Sequence, residues 1–217
     1  MSSQEEVKRA HIQELVAKLN KDNRQLDVIL ELSASLVDVN DLEQAEELLA
    51  RSLTLFPDNN DLLYNLGNVY YLADKFDRAG EIFDRLISAD YGFQAYYMKA
   101  KTLNQQGHAN LAIAFALTAV EKAPKDALSN ELLADLLMTN GNFESSIDFY
   151  QKALKLKPVA KYYFNIAICL MNLGKDYQFY LEKAKSLDEK YFVEHEKKLS
   201  DLQKFLRENG GNDDRGK

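Results

Sequence analysis

Enzymatic chemistry needs a constellation of groups, and the side chains able to supply one are scattered along this sequence. The three histidines are His11, His108 and His195. None has a second histidine at i+4, the spacing that puts two imidazoles on one helix face for a metal, and His195-Glu196 lacks the distal histidine of a zinc-protease helix. Gly174-Lys175 carries the final dipeptide of a phosphate loop without the glycine five positions upstream, and no Gly-x-Gly-x-x-Gly occurs. The single cysteine, Cys169, excludes an internal disulfide and a cysteine-based zinc site. It lies in the apolar run Ile166–Leu170, where a thiol serves as a small hydrophobe. Acid pairs such as Glu46-Glu47 and Asp213-Asp214 read as solvated faces or tail. The sequence therefore predicts no catalytic residue, no metal site and no cofactor, and the chain reads as a non-enzyme.

What remains is recognition, and that depends on the elements that position side chains. Gly and Pro are sparse, at 9 and 3 in 217 residues, too few turn signals for an all-β fold. The hydrophobic share of 46% suffices for an ordered core. Residue types recur at a fixed period. Ala45, Ala79, Ala112 and Ser146 are spaced 34, 33 and 34; Gly107, Gly141 and Gly174 are spaced 34 and 33; Pro124 and Pro158 are 34 apart. Within each period the same physics repeats. A first helix carries apolar residues at helical spacing, as in Leu63, Leu66 and Tyr70. A turn follows, often with glycine where a positive φ is needed. A second helix presents a small residue where two backbones approach, and proline ends it. One such hairpin cannot bury its apolar face alone, so neighbours must stack. Ser145-Ser146 falls at the small-residue place, which assigns it to packing rather than nucleophilic chemistry.

Leu63-x2-Leu66-Gly67-x2-Tyr70 followed by Ala79-x3-Phe83 resembles the tetratricopeptide repeat (TPR) pattern W-x2-L-G-x2-Y…A-x3-F, with Leu63 in the tryptophan place. The resemblance covers about three quarters of the chain, which also resembles the small stand-alone bacterial members of that family. It implies an all-α, right-handed solenoid of about five helix-turn-helix repeats, at 26–59, 60–92, 93–126, 127–159 and 160–188. In the last of these, Gly174 to Ala184 is 10 residues against 12 from Gly141 to Ala153, so its second helix should be short. Residues 1–25 and 189–208 read as capping helices that cover the ends of the stack. Ile12, Leu15, Val16 and Leu19 are expected on the inner face of the first, with Ser2 and Glu5 spaced as a capping box. Phe192, Leu199, Leu202 and Phe205 are expected on that of the second. Residues 209–217 read as a disordered tail.

The resemblance further implies a binding groove walled by the first helix of each repeat. Positions i, i+4 and i+7 share a helix face. On the face away from the packing residues this selects Tyr64, Asn68 and Tyr71 in the second unit, Tyr97, Lys101 and Asn104 in the third, and Glu131 and Asp135 in the fourth. Hydroxyl-bearing rings, amides and one ammonium suit an extended peptide. The co-chaperone subclass that clasps a C-terminal carboxylate uses Lys-x3-Asn and then Lys-x3-Arg. The latter is absent here, and the one Lys-x3-Asn, Lys161 to Asn165, lies in the last repeat.

Net charge is −7, which argues against direct binding to nucleic acid. Residues 1–149 hold 13 basic against 24 acidic side chains, and residues 150–217 hold 14 against 10. The start of the chain has acids where a secretory signal has bases. The longest near-apolar run, Leu111 to Val120, is too short to cross a bilayer. The expectation is thus a cytoplasmic protein-protein interaction adaptor or scaffold that binds a protein or peptide segment, with no membrane partner. Two alternatives stay open: a self-associating structural TPR protein, its acidic body against another copy's basic end, and a regulatory subunit of a nucleic-acid-processing enzyme that contacts protein only.

Overall fold

The structure, a computed structural model, describes residues 3–209. Ser2 of the expected capping box and residues 210–217 of the expected tail lie outside the described residues. Among the described residues the chain is helical throughout, in two compact units that divide between Ala119 and Val120. The first unit holds α1 (Ser3–Lys21), α2 (Leu26–Asp38), α3 (Leu42–Leu55), α4 (Asn60–Leu72), α5 (Phe76–Ser88), α6 (Phe93–Gln105) and most of α7 (Ala109–Lys122). The second holds α8 (Ala127–Thr139), α9 (Phe143–Leu156), α10 (Ala160–Asn172), α11 (Gln178–Leu187) and α12 (Glu189–Asn209). Asn209, expected in the tail, closes α12.

Local chemistry sets the helix ends. Pro57 and Pro124 stop one helix and are followed two residues later by an N-cap: Asn59 accepts from the Leu62 N–H at 2.9 Å, and Asp126 from the Ser129 N–H at 2.7 Å. The turn inside each hairpin has a single geometry. Gly107, Gly141 and Gly174 hold φ of 79°, 78° and 64°, and the equivalent places in the two earlier hairpins are filled by Asn40 (58°) and Asp74 (56°). At all five, the N–H of that residue bonds three residues back and the next N–H bonds five back, as in Asp74 to Tyr71 and Lys75 to Tyr70. These are Schellman closures, which satisfy the last carbonyls of the first helix. A sixth, at Asp90 (49°), ends α5 where three of the other units use proline.

In the first unit, successive hairpins pack through α2, α3, α4, α5 and α6, and the first helices α2, α4 and α6 also touch in a row. Ala45, Ala79 and Ala112 are fully buried, so each marks a close helix approach. The closest involves Gly67: a Cβ there would lie 2.8 Å from Phe83 Cε1. The cap α1 seals α2 with the fully buried Leu15 and the half-buried Ile12 and Leu19. Val16, expected inside, is 42% exposed, because α1 reaches α2 along a narrow stripe and leaves that side open.

In the second unit, α12 packs on both α10 and α11. It buries Phe192 and Leu199, while Phe205, expected inside, is 59% exposed. The second helix α11 has 10 residues against 14 in α9.

Candidate functional site

In the first unit, α4 and α6 carry the expected groove residues, and these separate into two groups. Tyr64 turns toward the hairpin core. Its ring lies 5.3 Å from that of Tyr91 and meets Phe83 edge-on at 6.3 Å. Burial pushes the Tyr64 phenol above its ordinary range, opposed by a hydrogen bond from Asn68. The Asn68 amide is committed to this pair, and its Oδ1 is buried with no hydrogen-bond partner among the described residues. Tyr91 in turn donates to Asp61 Oδ1 at 2.8 Å. Its phenol is pushed well up, first by burial and then by that carboxylate.

The second group, Tyr71, Tyr97 and Lys101, is half-buried, with both rings packed against the edge of the same core. The Lys101 ammonium stands 4.8 Å from the centre of the Tyr71 ring and 5.7 Å from that of Tyr97. Among the described residues it forms no ion pair. Tyr71 is braced edge-on by Phe76 at 5.7 Å and accepts from Gln105 Nε2 at 3.4 Å. Asn104 is exposed one turn further on. The other lysine of α6, Lys99, points away, is largely buried, and is spent on Asp84 at 2.7 Å and the Gly80 carbonyl at 3.2 Å.

In the second unit, Glu131 and Asp135 on α8 are engaged from within. Lys161 pairs with Glu131 and, at 3.0 Å, with Asp135 Oδ2. The Tyr162 hydroxyl donates to Glu131 Oε2 at 2.6 Å, and the Tyr150 hydroxyl to Asp135 Oδ1. Asn165 Nδ2 donates to the Tyr150 oxygen at 2.8 Å. Burial, reinforced by the carboxylates, keeps both phenols protonated far above the usual tyrosine range. Beside this network a cleft of about 450 Å³ opens between α8, α10 and α12.

Two tetratricopeptide repeat models match overlapping stretches, residues 36–103 and 97–161, together more than half the chain. The chain belongs to the tetratricopeptide repeat family. No curated protein sequence matches it. Among solved TPR structures it is similar to YrrB, described as a TPR protein with an unusual peptide-binding site (19% identity, 85% of this chain and 97% of that one, TM-score 0.64). It is likewise similar to MamA (21% identity, 74% and 96%, TM-score 0.66) and to MamA of AMB-1 (24%, 78% and 94%, TM-score 0.62). At these identities the likeness carries the fold alone.

Set on the TPR frame, the pairing of Lys101 with Tyr71 and Tyr97 joins residues that the helix-face count had already chosen together. The count missed the engagement of Glu131 and Asp135, whose cation arrives 30 and 26 residues later in the chain. Lys161-x3-Asn165 on the face of α10 was the available signal. No helix among the described residues is long and apolar enough to cross a membrane, and none of their His, Cys, Asp and Glu side chains converge in a group of three that could hold a metal.

Proposed function

We propose that this TPR chain is a non-catalytic adaptor that takes an extended segment of a partner protein on the face of α4 and α6 around Tyr71, Tyr97, Lys101 and Asn104. The observation that carries this reading is Lys101: a half-buried ammonium held by two rings and matched with no carboxylate among the described residues, in a chain with 34 acidic side chains. Cation–π contact fixes the ammonium without consuming its N–H donors. These donors can meet a carboxylate or backbone carbonyl, while the flanking tyrosines supply contact area at low entropic cost. The description of YrrB as a peptide-binding TPR protein favours a peptide ligand over a folded surface.

The test is selection of displayed peptides on the immobilised whole chain, followed by affinity measurement on wild type and Lys101→Met. Binding should fall roughly 10-fold or more in the variant, equivalent to about 1.4 kcal/mol. Equal affinity for both would refute the site. If the chain captured only further copies of itself, in a salt-sensitive manner, the self-associating alternative would replace this reading.

A further inference from the structure

The cleft of the second unit has a chemistry of its own, independent of the face proposed above. It is walled by one face from each of three helices: Asp135, Met138 and Thr139 on α8; Phe164, Asn165 and Ile168 on α10; Tyr191, His195 and Leu202 on α12. Lys161 of α10 also lines it. Asp135 and Lys161 line the cleft, and Glu131, outside the lining, pairs with the same ammonium, so the charged cluster at the cleft holds two carboxylates to one ammonium.

Hydrogen-bond capacity is unbalanced in the same direction. The donors of the network beside the cleft are largely spent: the hydroxyls of Tyr150 and Tyr162 on carboxylates, Asn165 Nδ2 on Tyr150 and Asp135, and two N–H bonds of Lys161 on the acid pair, while the Tyr191 hydroxyl on the cleft wall can donate or accept. Acceptors are left over. Asp135 Oδ2 receives Lys161 and has a second lone pair, and Asn165 Oδ1 is uncommitted by these bonds. His195 Nδ1 lies 2.8 Å from the Tyr191 carbonyl, which can only accept. The hydrogen therefore sits on Nδ1, and in the neutral ring Nε2 is an acceptor.

The walls are aromatic as well. His195 stacks on Tyr191 at 4.0 Å, and Phe164 meets both rings edge-on, at 5.8 and 6.0 Å. Spare acceptors and ring surfaces in one open cleft, with a net negative cluster at its wall, are complementary to a planar cation with many donors. We infer that this cleft receives an arginine side chain from a segment of a partner protein. The guanidinium lies against the aromatic cluster and donates to Asp135 and to the remaining acceptors. A carboxylate or phosphate would find one leftover N–H of Lys161 and the field of two acids.

The experiment uses the full chain, labelled for amide NMR, titrated with acetyl-Gly-Gly-Arg-Gly-Gly-amide and with its citrulline counterpart, which keeps the shape and loses the charge. The arginine peptide should give saturable shifts confined to α8, α10 and α12, with the citrulline peptide roughly 10-fold weaker or worse. Thr139→Arg, at an exposed rim position, should keep the helical circular-dichroism signal and lose the response. The inference is overturned if the arginine peptide moves no resonance on these helices. It is equally overturned if citrulline or a glutamate peptide binds as tightly, or if Thr139→Arg responds like wild type.

Discussion

Lys101 on α6 and Tyr71 on α4 are 30 residues apart in sequence, yet the ammonium stands 4.8 Å from the ring centre. The contact ties two first helices together through a half-buried group. A double-mutant cycle of Lys101→Met and Tyr71→Leu should give a coupling of about 0.5–1 kcal/mol in urea unfolding, the range of cation–π contacts at exposed sites. A coupling near zero would mean the ammonium is held by water rather than by the ring.

Two buried glycines on adjacent helices should respond oppositely to alanine. At Gly67 the new Cβ meets Phe83 Cε1 at 2.8 Å and Ile82 Cγ2 at 3.0 Å, and Phe83 is fully buried with no room to retreat. Overpacking costs about 1–3 kcal/mol, and the gain in helix propensity returns about 1. Gly67→Ala should therefore be net destabilising, by up to roughly 2 kcal/mol. At Gly80 the nearest atom is the Lys99 ammonium at 3.3 Å, which needs to move only a few tenths of an ångström and can keep Asp84, so Gly80→Ala should be neutral or stabilising by up to about 1 kcal/mol. Thermal denaturation of both variants decides it; equal shifts in the same direction would contradict the packing argument.

The turn residues offer a test of conformational strain. Asn40 and Asp74 hold the left-handed φ that Gly107, Gly141 and Gly174 hold elsewhere. Replacing Asp74 by glycine relieves that strain and should stabilise by about 0.5–1 kcal/mol, whereas Gly141→Ala should destabilise by about 1 kcal/mol. A Cβ at Gly141 meets nothing within 4 Å, so the loss would be conformational rather than steric. If Gly141→Ala unfolded at the wild-type urea midpoint, the strain would be absent.

These turns also mark where sequence reading succeeds and stops. Glycines at a fixed period announce three of the five Schellman closures. Asn40 and Asp74 occupy the same backbone state at the same period but are common residues elsewhere, so composition does not flag them. Helix faces were legible for the same reason: i, i+4, i+7 counting selects Tyr71 on α4 and Tyr97 and Lys101 on α6, and the fold brings the three into one cluster. What counting along one helix cannot supply is the element packed across from it. Tyr64 meets Phe83 and Tyr91 from the following helix and loop, and Asp135 meets Lys161 from the next repeat. Val16 and Phe205 show the same limit at the chain ends, where a cap has a neighbour on one side and solvent on the other.

Alkaline pH should find the phenol–carboxylate pairs. Tyr91, Tyr150 and Tyr162 each donate to an acid, Asp61, Asp135 and Glu131 respectively. Burial is the first cause that raises their pKa values, and the carboxylates add to it, since a phenolate there would face an anion. In the unfolded chain a tyrosine titrates near pH ~10. With the folded values above the unfolded one, the stabilisation is fully present below pH ~10 and is lost as pH rises beyond it. The urea midpoint should be set by other groups up to about pH 9.5 and then fall steeply. Phenolate absorbance should show a set of tyrosines that ionise only as the helical signal collapses. In Tyr150→Phe, which removes one of the pairs and leaves Asn165 with only its longer bond to Asp135, the protein should be less stable at neutral pH by about 1–3 kcal/mol. Its alkaline decline should be correspondingly shallower. A wild-type chain whose tyrosines all ionise together near pH ~10, with helicity intact, would show that these hydroxyls are not held as the structure describes.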